Sequence, residues 1–305
     1  MNCNKTVNKV SRDCMPLIFG EVLFDCFPDG REILGGAPFN VAWNLQAFGM
    51  SPLLVSRVGD DSLGWQIQEK MKSWGMNINC LQLDPSYPTG RVRIELTNGE
   101  PHFEILPDQA YDHISPLTGT LQHEPPFLYH GSLALRNNNS RSTLALLKRD
   151  YQCPVFVDVN LRAPWWNAER VHTLAADATW LKLNEVELNS LFPGQKNLEQ
   201  RCRQILERFN LDTLFVTLGK KGAVALNRDN LWSATKPQEN IPIMDTVGAG
   251  DAFSSVLLLG LMNDWPLHTT MERAQEFASG VVGQRGAISH DENFYQTLRN
   301  KWNLQ

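Results

Sequence analysis

The chain has 305 residues, 42% hydrophobic and 20% charged, with a formal net charge of −5. This is the balance of a globular chain rather than an extended disordered one, and a net-acidic chain is not built to attract nucleic acid or anionic lipid as a whole. The length permits one large domain or two small ones, and an α/β domain of this size buries a substantial core without disulfide staples.

In chain order, residues 1–14 are polar and lack the apolar core of a signal peptide; they are expected to be a disordered tail ahead of one domain over 15–305. Pro16 to Phe24 reads as a buried first strand. Ala37 to Phe48 places Val41, Ala42, Leu45 and Phe48 on one helical face, with Gly49 where a C-terminal cap belongs. Leu53 to Ser56 is a short strand, and Leu63 to Trp74 a second amphipathic helix closed by Gly75. Pro154 to Asp158, Trp180 to Leu183 and Thr213 to Thr217 are further apolar runs of strand length, with a helical segment over Leu198 to Phe209. Such repeated β-α alternation predicts a mostly parallel sheet covered by helices.

One segment breaks the alternation. Arg91 to Leu96 alternates polar and apolar, Asn98-Gly99 supplies a hairpin turn, and His102 to Ile105 alternates again. Its apolar face, with Val92, Ile94, Leu96, Phe103 and Ile105, needs a cover. Spacing alone allows either a small β lid over a cleft, completed by residues 22–34, or a surface hairpin on the main core.

The six cysteines are scattered, with no CxxC pair, which fits reduced thiols in a cytoplasm. The longest apolar stretch, Val256 to Met262, is far too short to span a bilayer. The seven histidines show no HxH or HExxH spacing, so no metal site made of protein ligands is indicated. The nine tryptophans lack an accompanying basic stripe and read as packing or substrate-wall residues, not as a nucleic-acid stacking platform.

The strongest chemical signal is Asp245-Thr-Val-Gly-Ala-Gly-Asp251 ahead of a helical run from Ala252. Glycines before a helix let backbone N–H groups surround an anion, and the helix dipole adds to the attraction. Asp251 then sits on the first turn, placed to accept a proton from an attacking hydroxyl, although a carboxylate there also resembles an ordinary cap. No GxxxxGK[ST] occurs, and the first βα turn has no GxGxxG, which weakens a P-loop ATPase and a nicotinamide dehydrogenase alike. Asp158-Val-Asn-Leu-Arg162 closes a strand, so Arg162 is expected at the ligand-bearing carboxyl edge, with a surface salt bridge as its plainer alternative.

Asp245 to Phe253 resembles the C-terminal signature of the ribokinase-like, or PfkB-type, carbohydrate kinases. Gly35-Gly-Ala-Pro-Phe-Asn-Val-Ala42 and Val58-Gly-Asp-Asp-Ser-Leu-Gly64 resemble their N-terminal signature, Asn184-Glu-Val-Glu187 their NxxE motif, and Val216 to Gly222 their nucleotide-side strand and turn. The matches run in family order over roughly residues 17–290. The resemblance implies a three-layer α/β/α sandwich with a small β-sheet lid, its strands near 22–34 and 88–106, and ATP-dependent phosphorylation of a sugar-like alcohol.

The resemblance also implies roles. Asp251 corresponds to the catalytic base, and the N–H groups of Gly248, Ala249 and Gly250 to the anion hole. Asp25, Gly35, Gly36 and Asn40 correspond to sugar contacts, with Phe103 of the lid and Arg162 also assigned to the substrate. Asn184, Thr217, Gly219, Gly222 and Gly250 fall to the nucleotide. Asn184 and Glu187 fall to Mg²⁺ through water, and Asp245 to a monovalent cation such as K⁺, near a tail, Gln284 to Ile288, that resembles the family's adenine and cation loop. Plainer readings stand beside these: a helix cap for Asn184 and Glu187, a tight turn for Gly35 and Gly36, a turn residue for Asp25. The partners implied are the sugar, ATP and a second copy of the chain in a homodimer. A ketohexose such as fructose is the first expected acceptor, with a keto-deoxy sugar acid and then a nucleoside behind it; the rival of another class is a non-catalytic sugar or nucleotide sensor.

Overall fold

The first apolar run does not remain one strand. It divides at Gly20, whose φ of 146° turns the chain, into β1 (Leu17–Phe19) and β2 (Leu23–Cys26), which belong to different sheets. The computed structural model describes residues 15–97, 100–194, 196–237, 244–284 and 286–304; the polar tail 1–14 and the Asn98-Gly99 turn lie outside the described residues.

After β2 come β3 (Glu32–Gly35), α1 (Ala37–Ala47), β4 (Leu53–Gly59), α2 (Ser62–Ser73), β5 (Leu81–Asp84), β6 (Gly90–Thr97) and β7 (Glu100–Ile105). A 3-10 turn (Ala110–His113) leads to β8 (Leu128–His130), and another (Leu133–Arg136) to α3 (Asn138–Tyr151). Then follow β9 (Val155–Asp158), α4 (Ala168–Ala176), β10 (Trp180–Asn184), α5 (Glu185–Leu191), α6 (Leu198–Phe209) and β11 (Thr213–Thr217). The chain ends with β12 (Ala223–Asn227), β13 (Trp232–Thr235), α7 (Ala249–Met262), α8 (Leu267–Val282) and α9 (Glu292–Trp302).

The large sheet has the order β13-β12-β11-β10-β9-β8-β1-β4-β5, parallel from β11 to β5, with β12 and β13 added antiparallel. Its strands show the period-2 alternation of a sheet covered on both faces. Ile18, Leu54, Tyr129, Phe156 and Phe215 face the layer formed by α1, α2, α7, α8 and α9. Leu17, Val55, Leu128, Val157, Leu183 and Val216 face α3, α4, α5 and α6. The result is the three-layer α/β/α arrangement. The second sheet has the order β3-β2-β6-β7, with β2 and β6 parallel and the outer pairs antiparallel. Within it Val92 and Ile94 are buried, whereas Phe103, opposite Ile94, is 53% exposed on the edge strand.

One ionic cluster interrupts the apolar interior. Lys182 Nζ lies 2.8 Å from Asp158 Oδ2, both side chains more than nine-tenths buried. The same oxygen accepts a hydrogen bond from Ser254 Oγ at 2.7 Å and from the Tyr129 hydroxyl at 3.3 Å. Strands β8, β9 and β10 are thereby tied to α7. Stripping water from two charges is costly, and the cost is offset only while each has its partner. Lys182→Met is therefore expected to cost about 3–5 kcal/mol by leaving the Asp158 carboxylate unpaired. Adding Asp158→Asn should recover part of that loss. Urea unfolding of the two variants checks both expectations.

Candidate active site

Strand β1 lies between β4 and β8, so the winding of the parallel sheet reverses there, which is where an open α/β sheet places its ligand crevice, beyond the carboxyl ends of the strands. Two helix N-termini meet at this edge. Asn40, in the first turn of α1, donates from Nδ2 to Asp251 Oδ2 at 2.7 Å, joining residues 211 apart in the chain. Asn40 is 3% exposed, and its Oδ1 has no partner among the described residues. One turn along, Asn44 donates to Ser255 Oγ at 3.2 Å and continues the seam between the helices.

The start of α7 is built from backbone. Gly248 precedes the helix with φ 79°, and an added Cβ would collide with Ala287, so only glycine fits. No side chain caps α7, in contrast to the Asp61 cap of α2 and the Asn197 cap of α6. The Ala249 N–H reaches the Thr246 carbonyl only at 3.4 Å. The first-turn N–H groups at Ala249, Gly250 and Asp251 therefore present the positive end of the helix dipole to the crevice. At the start of α1, Gly36 has φ 109°, and a Cβ there would come within 2.7 Å of the Glu21 carbonyl. Gly35 ends β3 with its Cβ direction 3.9 Å from Asp25 Oδ2.

Three carboxyl groups converge here. Burial raises the pKa of Asp251; the Asn40 hydrogen bond opposes the rise and the Asp158 charge adds to it. Burial pushes Asp25 up to about 6, with Arg162 opposing and Asp245 adding. Burial pushes Glu21 up to about 7; its own backbone hydrogen bond and Arg162 oppose, and Asp251 adds. Arg162 is exposed, its Nη1 makes one long contact to the Leu161 carbonyl at 3.4 Å, and its charge acts on all three acids. Glu21 is absent from the residues singled out in the sequence. An acid within an apolar strand was the available signal, and the break at Gly20 that turns it into the crevice was not visible.

Farther along the edge, Asn184 and Thr217 are register partners at the ends of β10 and β11. Asn184 and Glu187 form a reciprocal capping box: Asn184 Oδ1 accepts from the Glu187 N–H at 2.9 Å and Glu187 Oε2 from the Asn184 N–H at 2.8 Å. Glu187 Oε1 accepts from the Leu161 N–H at 2.8 Å. The cap geometry is thus present, and each carboxylate oxygen already holds one backbone donor. Gly219 has φ 57° in the turn after β11, and Gly222 lies against the Thr235 carbonyl, where a side chain would clash. Asp245 accepts from the Val247 N–H at 2.9 Å and the Gly286 N–H at 3.1 Å, holding the loop before α7 against the loop after α8. Among the described residues no three His, Cys, Asp or Glu side chains are grouped as a metal site, and no helix is long and apolar enough to cross a membrane.

The raised pKa of Glu21 has a consequence for stability. Between its ordinary value of 4.5 and its folded value of about 7, the folded state holds a proton that the unfolded chain has released. Its contribution is fully present below 4.5 and is lost as pH rises toward 7. Glu21→Gln should flatten the fall in unfolding free energy over that interval, measured by denaturant titration at several pH values. An unchanged slope would show that Glu21 is not held protonated.

Residues 25–293 match the pfkB family carbohydrate kinase description. The fructokinase of Klebsiella pneumoniae is 31% identical over 265 residues, covering 80% of this chain and 83% of the relative. An ATP-dependent 6-phosphofructokinase of Thermoanaerobacterium thermosaccharolyticum is 28% identical over 312 residues, covering 98% and 94%. Among solved structures, the fructokinase of Vibrio cholerae O395 in its fructose-, ADP- and calcium-bound form superposes with a TM-score of 0.77 at 26% identity, covering 94% of this chain and 100% of that one. With these matches spanning the crevice, the paired helix N-termini and the sheet that carries them, the chain belongs to the pfkB family of carbohydrate kinases, phosphotransferases with an alcohol as acceptor.

Proposed function

We propose that this sugar kinase transfers the γ-phosphoryl group of Mg-ATP to a hydroxyl of a ketohexose, with fructose as the first candidate. The observation that carries the reading is the buried Asp251 carboxyl, held by Asn40 beside the uncapped N-terminus of α7. One group to take a proton and one cluster of donors to hold a phosphoryl group lie within a single helical turn. Phosphoryl transfer through a loose transition state asks chiefly for such positioning and charge stabilisation. Burial raises the Asp251 pKa and so makes it a better base than a solvated aspartate. Its proton acceptance is a late event, and orientation of the hydroxyl is its earlier task.

The remaining assignments follow the edge of the sheet. Asp25, Gly35, Gly36 and Asn40 receive the sugar, and Arg162 sits at the mouth, where it offsets the nearby carboxylates. Thr217, Gly219 and Gly222 border the nucleotide. Magnesium, when bound, neutralises triphosphate charge; Asn184 and Glu187, whose oxygens are already engaged by backbone N–H groups, suit ordering its waters rather than direct ligation. Asp245 is engaged in the same way, so any cation near the loop before α7 would draw mainly on backbone carbonyls. The small sheet is the lid, and Phe103, exposed on its edge, is the side chain available to cover a bound sugar.

Asp251→Asn keeps an oxygen that can still accept from Asn40 Nδ2 but cannot accept the hydroxyl proton. A fall in kcat of about 10²–10⁴-fold on the best sugar is expected, with thermal unfolding and ATP affinity close to those of the parent. Retention of most of the kcat would remove Asp251 from the base role. In the same assay fructose should stimulate ADP release more than ribose, adenosine or a keto-deoxy sugar acid does.

A further inference from the structure

A second group of unpaired polar atoms lies beside the phosphoryl-transfer edge. Glu21 Oε2, the Tyr111 hydroxyl, Arg136 Nη1 and Trp165 Nε1 are buried and have no hydrogen-bond partner among the described residues. Glu21 and Tyr111 are 3% and 0% exposed, and the Arg136 side chain 5%. Buried donors and acceptors are ordinarily satisfied, so four together demand an explanation.

They are also neighbours. The Arg136 guanidinium lies 4.4 Å from the centre of the Trp165 ring and 5.2 Å from that of Tyr111. The Glu21 carboxyl, when ionised, acts on both Tyr111 and Arg136. Glu21, Arg136 and Trp165 follow the carboxyl ends of β1, β8 and β9, at and next to the point where the winding reverses, and Tyr111 comes from the 3-10 turn after β7. Above them, a Cβ on Gly90 would meet the Tyr111 ring at 2.7 Å and Leu23 at 2.9 Å, so the small sheet closes down directly on this ring.

We propose that Glu21, Tyr111, Arg136 and Trp165 form the subsite that reads the hydroxyls of the sugar other than the one facing Asp251, and that it selects a neutral polyol over a sugar acid or a sugar phosphate. This rests on the kinase reading above. The selection follows from charge. Asp112 matches Arg136 through two hydrogen bonds of 2.6 Å, and the Leu106 carbonyl takes a third at 2.6 Å. Only Nη1 remains, without surplus positive charge, and a carboxyl group stands beside it. An anionic substituent would find no unmatched cation there, because Arg136 is already paired with Asp112, and would meet a like charge once Glu21 ionises. Hydroxyls, which donate and accept, meet a guanidinium N–H, an indole N–H, a phenol and a carboxyl, beside the half-buried Trp165 ring.

The test uses Tyr111→Phe and Trp165→Phe. Each removes one polar atom, keeps an aromatic ring beside the guanidinium, and leaves the Arg136–Asp112 pair intact. Sugar KM, ATP KM and kcat are measured with a ketohexose, an aldohexose, a keto-deoxy sugar acid and a hexose phosphate, alongside calorimetric titration of each sugar. The expected result is a neutral sugar as best acceptor for the parent and a rise in its KM of about 3- to 10-fold in each variant, the size of one lost hydrogen bond, with ATP KM unchanged. A neutral sugar other than a ketohexose as best acceptor, with the same rise, upholds the subsite and corrects the ketohexose assignment. If no sugar is phosphorylated but a neutral sugar binds the parent and binds the variants more weakly, the subsite stands and the kinase reading fails. Preference for an anionic acceptor, unchanged sugar KM in both variants, or no binding of any neutral sugar overturns the proposal.

Discussion

The hydrogen bond between Asn40 and Asp251 is the contact on which the working geometry depends. It sets the N-termini of α1 and α7 side by side over the carboxyl edge of the large sheet, and it fixes which oxygen of the aspartate is taken and which remains. A carboxyl group so held carries a raised pKa because burial outweighs the hydrogen bond it accepts. Around this contact the fold supplies a positive helix end, an exposed arginine and two further carboxyls. A buried carboxyl, a cluster of backbone donors and a compensating charge are therefore set close together.

The support beneath that contact is ionic. Lys182 lies within the sheet, close enough to Gly250 that a Cβ there would sit 3.5 Å from its Nζ. Its pairing with Asp158, and the hydrogen bond from Ser254 to the same oxygen, anchor the first turns of α7 from below. A buried ion pair of this kind favours a single arrangement, because every alternative leaves a charge without a partner. A rigid α7 start is what phosphoryl transfer requires, since the donors must be in place before charge develops.

Much of the architecture was legible in the sequence where a single physical signal governed. The helix over Leu198–Phe209 and the strand over Thr213–Thr217 have the boundaries that periodicity gives them. The helix after Gly248 begins three residues earlier than the apolar run suggests, because its first turn is polar and glycine-rich. Pro16 to Phe24 misled, since apolar character alone cannot show that the chain turns at Gly20 and enters a second sheet. The site divides in the same way. Asn40 and Asp251 stand out through their motifs and meet in space, whereas Glu21, Tyr111, Arg136 and Trp165 carry no local pattern and become a group only through the topology. Asn184 and Glu187 show how one pair satisfies two readings: the spacing that makes a capping box is also the spacing of the family motif.

The central claim is that the acceptor hydroxyl sits between Asp251 and the N-terminus of α7, with the rest of the sugar toward Glu21. A crystal structure of this protein with fructose and a non-hydrolysable ATP analogue tests it most directly. The account predicts one sugar hydroxyl within hydrogen-bond distance of Asp251, in line with the γ-phosphorus, and other hydroxyls bonded to Tyr111, Arg136 or Trp165. A sugar bound away from Asp251, or a γ-phosphate that does not approach the first turn of α7, would contradict it.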